Sequence, residues 1–410
     1  MDWRLLILVI VTLVSGYQLL LHAVQYRSAN NPTPDNVKDI YDAETYARWK
    51  NYSAEKCRLQ IIATLVSWAV TMVLLLCNAH AAVAGRFPQN IYVQLIAVLV
   101  FQALVETLCG AATGYVDTMI IEQKYGFNRS TIKTFVVDQI RGFLIEALLS
   151  IVLMSILAAL HQAMGDGMIL LFAAAVFGIT LLISFLYPII SRMGNKFTPL
   201  EEGELRDKLT ALLTSHGYKV NAIEVMDASR RTTKSNAYFT GFGAMKTIVL
   251  YDNLITSMTA DEICAIFAHE LGHGLHKDVP KQQVMNLGNL LIMAVLAWLV
   301  VREPAMHQAF GFAGVNYGFA FILLGSAALA LVQPITGMLM SAYSRFAEYR
   351  ADRQAVKEGY GPALISGLKK LGRDNFSHLA PSKLLVVLEY SHPPLSQRIA
   401  AVEKAIKELM

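Results

Sequence analysis

Charge is what this sequence has least of. Only 16% of its 410 residues are Asp, Glu, Lys or Arg, against 55% hydrophobic, and the mean hydropathy is +0.43. A chain so poor in charge cannot coat an ordinary soluble surface, so most of it must face lipid. Cysteine is equally scarce: Cys57, Cys77, Cys109 and Cys264 form no C-x-x-C pair, which argues against a disulfide framework or a cysteine zinc site. Buried or lipid-facing thiols are the expectation. No Lys/Arg block stands out from the net charge of +4, so nucleic acid is not an expected partner. The first apolar run continues past Gly16 to Ala23 without a small-residue cleavage site, and it reads as an uncleaved anchor.

What the sequence has in abundance is apolar stretches long enough to cross a bilayer. Seven are expected: Trp3 to Val24, Ile61 to Val83, Ile91 to Tyr115, Phe143 to Gln162, Met168 to Ile190, Val284 to Val301 and Phe319 to Ser341. The first connection carries Arg27, Lys38, Arg48, Lys50 and Lys56 and the third Lys124, Arg129 and Lys133, whereas the second has only Arg86 and the fourth no basic residue. Basic loops face the cytoplasm, so the N-terminus is expected outside and the C-terminus inside. The division that follows is spans at 1–190, a cytoplasmic segment at 191–281, two spans at 282–341 and a second cytoplasmic segment at 342–410. The two polar segments are expected to form one domain. The sequons at Asn51, Asn128 and Asn375 fall on the cytoplasmic side, where they are inert. Within the spans, Glu106, with Gln102 one turn before it, and Glu146 call for either helix–helix hydrogen bonding or a hydrated cavity, because ionised groups are costly in hydrocarbon.

The chemistry is concentrated in TADEICAIFAHELGHGLHKDVP, residues 259–280. Thr259 and Glu262 form a capping-box pattern that starts a helix, and Pro280 is expected to mark its end. His269 and His273 then lie one turn apart on one face, where two imidazoles can share a Zn²⁺ ion. Glu270, rotated to the side, can reach a metal-bound water as general base. A catalytic zinc needs a third protein ligand. His276 lies seven residues from His269, too far to share the ion, and Val279 stands where the longer zinc motif needs its third His. SRFAEYRADRQA offers Glu348 and Asp352 at i, i+4 spacing. Glu348 can complete a His₂Glu site and Asp352 can orient an imidazole, although Arg345, Arg350 and Arg353 would pair with both acids on any exposed helix.

These blocks, together with YGFNRSTIKTFVVDQIRG, FTPLEEGELR, SNAYFTGFGAMKTIVLYDNLI and SHPPLSQRI, occur in an order that resembles the type I CaaX prenyl endopeptidases. Those are seven-span zinc proteases that remove the C-terminal tripeptide from prenylated proteins. The resemblance implies a mostly α polytopic protein whose seven spans enclose a water-filled chamber, with an α+β gluzincin-like protease domain built from the two separated segments. It also implies that Glu348 is the third ligand of one Zn²⁺ per chain, that Asp352 supports the site, and that Glu106 and Glu146 face the cavity. Expected partners are peptide or protein substrates, including C-terminal prenylated CaaX peptides, and the bilayer, and the chain is expected to be a monomer.

Two further segments bear on substrate. SNAYFTGFGAMKTIVLYDNL alternates around a Gly-containing turn, which predicts a hairpin whose edge can pair with an extended peptide, with Asn236 as a backbone contact. In SHPPLSQRI two prolines hold His392 in a turn from which it can donate to a developing oxyanion, and Arg398 can read a terminal carboxylate. Loop packing and a surface ion pair are the alternatives for these two residues, and the resemblance favours the substrate roles. The sequence departs from the family at Lys234, where eukaryotic members commonly carry His, and at GHGLHKD, which lacks their usual bulky residue after the second zinc His. Without a dibasic retrieval signal in KAIKELM, a prokaryotic plasma membrane is expected over the endoplasmic reticulum. Two other readings stand beside this one. One is a quality-control metalloprotease without prenyl specificity, and the other a lipid- or ion-binding bundle with structural zinc, against which Glu270 argues because a structural zinc needs no base.

Overall fold

The computed structural model describes residues 2–192, 195–230, 237–240 and 245–409. Asn236 and Lys234 lie outside the described residues. Helices α1 (Trp3–Ser28), α2 (Ala43–Leu76), α3 (Ala79–Ala84), α4 (Ile91–Gly114), α5 (Ile132–Met164) and α6 (Met168–Ser191) form the N-terminal part. Then come β1 (Phe197–Pro199), α7 (Glu204–Ser215), β2 (Lys219–Met226), β3 (Ala237–Thr240), β4 (Met245–Tyr251), α8 (Asp252–Ser257) and α9 (Ala260–Leu275). The chain returns through α10 (Asp278–Arg302), α11 (Pro304–Gln308), α12 (Tyr317–Leu323) and α13 (Ala330–Lys357), and ends in α14 (Gly361–Asp374), α15 (Lys383–Leu388) and α16 (Leu395–Leu409).

Among the described residues six helices are long and apolar enough to cross a membrane. A shorter apolar stretch, Met168–Ile183, lies within α6 and coincides with the remaining expected span. The helices overrun the apolar stretches that nucleate them. α2 begins at Ala43, well inside the first basic loop, because residues 43–60 contain no Pro or Gly to stop it. More consequential is the last span, which does not end at Ser341. α12 passes through a π turn at Leu324–Leu329 into α13, giving one 41-residue helix, Tyr317–Lys357, that leaves the membrane and carries Glu348 and Asp352 on its far end.

Loop contacts sort into two faces. Ser28 Oγ meets His378 Nε2 at 2.8 Å, Trp49 Nε1 donates to the Phe376 carbonyl at 3.0 Å, and Asn36 donates to the Ser396 carbonyl at 2.8 Å. The first connection therefore lies against the C-terminal segment. The third joins the same face through Lys124 and Glu55, 2.6 Å apart. At the other end Arg4 donates to the Leu76 carbonyl and stacks over Phe310, so the N-terminus, the second connection and the sixth share the opposite face.

The polar segments build one unit around a single core, in which Leu209 and Leu213 of α7, Ile248 and Leu250 of β4, Phe267 and Leu271 of α9, and Leu364 of α14 are all buried. The sheet has order β1-β2-β4-β3, with β2 and β4 parallel and β3 antiparallel to β4 in the register Ala237↔Leu250 to Thr240↔Thr247. The expected hairpin is present, and β3 is its edge. Among the described residues, cavities lie between the spans. One of about 460 Å³, lined by Gln102 and Glu106, separates α2 from α4, and one of about 630 Å³, lined by Tyr17, His22 and Gln333, lies between α1 and α13. Gln102 bridges His80 and Glu106 at 2.9 and 2.7 Å, so these groups satisfy one another beside a cavity.

Candidate metal centre

The capping box on α9 is closed in both directions: Glu262 N–H donates to Thr259 Oγ1 at 3.3 Å and Thr259 N–H to Glu262 Oε2 at 2.8 Å. The same Glu262 carboxylate accepts from Ser366 and Lys370, both at 2.6 Å, which ties α9 to α14. Pro280 does not end this helix. α9 stops at Leu275, Lys277 turns the chain in the left-handed region (φ 54°), and Pro280 sits in the first turn of α10, where its missing N–H has no intrahelical partner to lose.

α9 and α13 meet at their smallest residues. A Cβ on Gly272 would stand 2.8 Å from the Ala351 Cα, so only glycine permits this approach. It brings the His269, His273 and Glu348 side chains together: their ligand atoms all lie within 4.8 Å of one another. The His269 and His273 Nε2 atoms are 3.2 Å apart, and Glu348 oxygens lie 3.5 and 3.4 Å from them. Both imidazoles are oriented from behind. His269 Nδ1–H donates to Asp352 Oδ1 at 2.8 Å, and His273 Nδ1–H to Asp278 Oδ2 at 3.0 Å. With both Nδ1 atoms acting as donors, the Nε2 lone pairs face each other and need a cation between them.

Two further observations test the fit of a metal. Glu348 Oε2 is buried without a hydrogen-bond donor, the Arg398 guanidinium 3.1 Å away being out of alignment. Burial alone would push the His273 imidazole down, but hydrogen bonds to Glu348 and Asp278 outweigh it and raise it to about 9. The pocket thus calls for positive charge, and two imidazoles with one carboxylate are the donor set of a catalytic zinc.

Asp278 was not picked out from the sequence. It is almost fully buried, with Tyr343 donating to it at 2.9 Å and Arg350 forming an ion pair with it. Its position at the start of α10, five residues beyond His273, was the available signal.

The cleft in front of the group has a volume of about 500 Å³, and Glu270, His392 and Arg398 line it together with the ligands. Glu270 makes no hydrogen bond with the ligand set and faces the open space, the geometry a base requires. His392 is well exposed and its Nε2 lies 3.3 Å from Glu348 Oε1. Arg398 is placed differently from expectation. Its Nε and one terminal nitrogen donate to Asp352 at 2.9 and 2.6 Å, the latter also lying 3.3 Å from His269 Nδ1, while the other terminal nitrogen is 3.1 Å from Glu348 without a hydrogen bond to it. Ala237, the first described residue of β3, lines the cleft and puts the sheet edge beside it.

Residues 22–192 match the family described as CAAX prenyl protease N-terminal, five membrane helices, and residues 199–406 match Peptidase family M48. The chain is 30% identical to the CAAX prenyl protease 1 homolog of Oryza sativa, with 97% of each chain covered. It is 28% identical to CAAX prenyl protease 1 of Saccharomyces cerevisiae, over 98% of this chain and 95% of that one. The crystal structure of S. mikatae Ste24p superposes with a TM-score of 0.91 at 25% identity, covering 98% of this chain and 99% of that one.

Proposed function

The chain belongs to peptidase family M48, and we propose that it cleaves near the C-terminus of prenylated CaaX proteins, with one zinc ion per chain held by His269, His273 and Glu348. It is a membrane-embedded metalloendopeptidase. The observation that carries the reading is the convergence of those three side chains from two helices on a cleft that also holds Glu270. Zinc, when bound there, supplies Lewis acidity toward a water and the scissile carbonyl.

The remaining work belongs to the side chains. The Glu270 carboxylate takes a proton from the water and returns it to the leaving nitrogen. Asp352 and Asp278 hold the two imidazoles in the tautomer that leaves Nε2 free. Arg398, through its paired donors, fixes Asp352 and acts as a positioning residue. His392, lining the cleft with its Nε2 3.3 Å from Glu348, is the donor assigned to the oxygen that gains charge as the carbonyl is attacked. Asn236, which precedes β3 in the chain, is assigned the contact with the substrate backbone.

The protease unit faces the cytoplasm, a reading supported by the basic first and third connections, which pack against it through Trp49 and through Phe127 on Phe376. The expectation of a prokaryotic plasma membrane gains nothing from the relatives above, which are eukaryotic. The decisive experiment gives the purified full-length protein a farnesylated CaaX peptide and its unprenylated counterpart, with and without chelator. Chelator-sensitive cleavage that favours the farnesylated peptide is expected. Equal cleavage of both would replace the CaaX reading with a general membrane-protein protease, and chelator-insensitive cleavage would remove the metal from the reaction.

A further inference from the structure

Helix α15 reads KLLVVL, five apolar residues in succession, and not the pattern of a helix with one side in water. At about 100° per residue these side chains sort onto three faces. Val386 is buried, Leu385 and Leu388 line the cavity between α1 and α13, and Leu384 and Val387 are 47% and 48% exposed. α13 shows what adjoins the open face. Its Gln333, Gly337 and Ser341 line the cavity at steps of four, and Leu331, Ile335 and Leu339 repeat the step two residues out of phase, on the opposite side. The exposed apolar side of a span, turned away from a polar cavity, is the side that meets lipid. Glu348, seven residues after Ser341, carries the cavity stripe to the metal centre, and Phe346, seven after Leu339 and 58% exposed, carries the lipid stripe equally far. Arg350, one turn on, stacks over the Phe346 ring at 5.1 Å and ends the apolar face. Arg345, next to Phe346, donates to the Tyr390 carbonyl at 2.6 Å and reaches the Val387 carbonyl at 3.4 Å, so the end of α15 lies beside the lipid stripe.

We propose that Leu384, Val387 and Phe346 form an apolar patch by which the protease unit, and not only the spans, docks into the lipid leaflet on its own side of the membrane, and that this contact steadies the turn bearing His392. Lipid is the occupant because the patch continues the lipid-facing stripe along one unbroken helix, α13. Water is a poor neighbour for two aliphatic side chains and a phenyl ring, with no polar residue between Leu384 and Leu388 to soften the exposure. α15 ends at Leu388, and only three residues separate it from His392. A helix seated in the leaflet and tied to α13 by Arg345 limits how far that imidazole can move from Glu348, 3.3 Å away. The part of the inference that concerns His392 rests on the role given to it above; the docking does not.

Spin labels test the docking without turnover. Full-length zinc-loaded protein with Cys77→Ser and Cys109→Ser, reconstituted in phosphatidylcholine vesicles, carries one label at Leu384 or Val387, at Leu339 as the lipid reference, or at the exposed Arg373 as the water reference. Collisions with oxygen, which concentrates in lipid, should exceed those with a water-soluble nickel chelate at Leu384 and Val387, as at Leu339, and the order should reverse at Arg373. Nickel-dominated collisions at both α15 positions would put the patch in water, and weak collisions with both reagents would put it under protein; either result overturns the proposal. So would exposure to nickel that ends only when a farnesylated peptide is added, since the patch would then belong to the prenyl chain. A label at Ser391 should gain mobility when Leu384→Ser and Val387→Ser are introduced together. Cleavage by that double variant should fall about tenfold at unchanged zinc content, a loss that should be absent in a His392→Ala background. Unaltered mobility at Ser391, or the same loss with and without His392, would overturn the link to the turn. Absence of cleavage in the parent would count against the peptidase reading, while collisions and mobility still decide the docking.

Discussion

At the scale of single residues, the ligand set and the base should separate cleanly. Glu348→Ala removes one of three donors and should abolish both zinc and activity, whereas Glu270→Gln should keep zinc, as measured by metal analysis, and lose at least about a hundredfold in turnover because an amide cannot accept the proton. Undiminished zinc in the Glu348 variant would mean that the third ligand lies elsewhere. Asp278 makes a finer test. Its carboxylate carries the His273 hydrogen bond while Tyr343 and Arg350 hold it in turn, so Asp278→Asn should weaken zinc about 10- to 100-fold with the fold intact. The readout is a chelator competition beside a thermal unfolding curve. Zinc affinity equal to that of the parent would make Asp278 a mere helix-start residue.

At the scale of elements, the site exists because α9 and α13 touch at Gly272 and Ala351. Neither helix holds a complete metal site: α9 supplies two imidazoles and α13 the carboxylate together with Asp352. Gly272→Ala would drive a methyl group into the α13 backbone, an overpacking that costs about 1–3 kcal/mol and is relieved only if the helices separate. That separation moves Glu348 away from the imidazoles. The expected outcome is a lower melting temperature together with weakened zinc, and loss of stability with parent-like zinc affinity would show that the contact does not set the ligand spacing. The continuous helix Tyr317–Lys357 adds a second consequence. The apolar turns and Glu348 belong to one helix, which ties the carboxylate to the last span.

At the scale of the whole molecule, two faces can be told apart by labelling. In a Cys77→Ser background, which removes the exposed native thiol, a cysteine at Gly165 should react with an impermeant reagent in intact cells, and one at the exposed Arg373 should not. The opposite pattern would reverse the orientation. Relative sidedness is already set by the packing: the first connection and the C-terminal segment are hydrogen-bonded to each other, so no orientation can place them on different sides.

By itself the sequence determined whatever depends on local periodicity and local chemistry. Apolar runs located the spans, although α2 and the last span run beyond them, since hydropathy marks where lipid begins and says nothing about where a helix stops. The Thr259/Glu262 pair began α9, and HELGH put two imidazoles on one face. The role of Pro280 was misread because proline ends one helix and starts another with the same residue. Glu348 and Asp352 were legible as a pair on one helix face, but their choice as ligand and support rested on the order of several blocks along the chain. The tertiary structure alone decided that Asp352 turns to His269 and Asp278 to His273, and that Arg398 is occupied by Asp352. Each of these joins residues on separate helices or across a turn. The first of these distances is set by how closely backbones can approach at Gly272 and Ala351, which no spacing along the chain records.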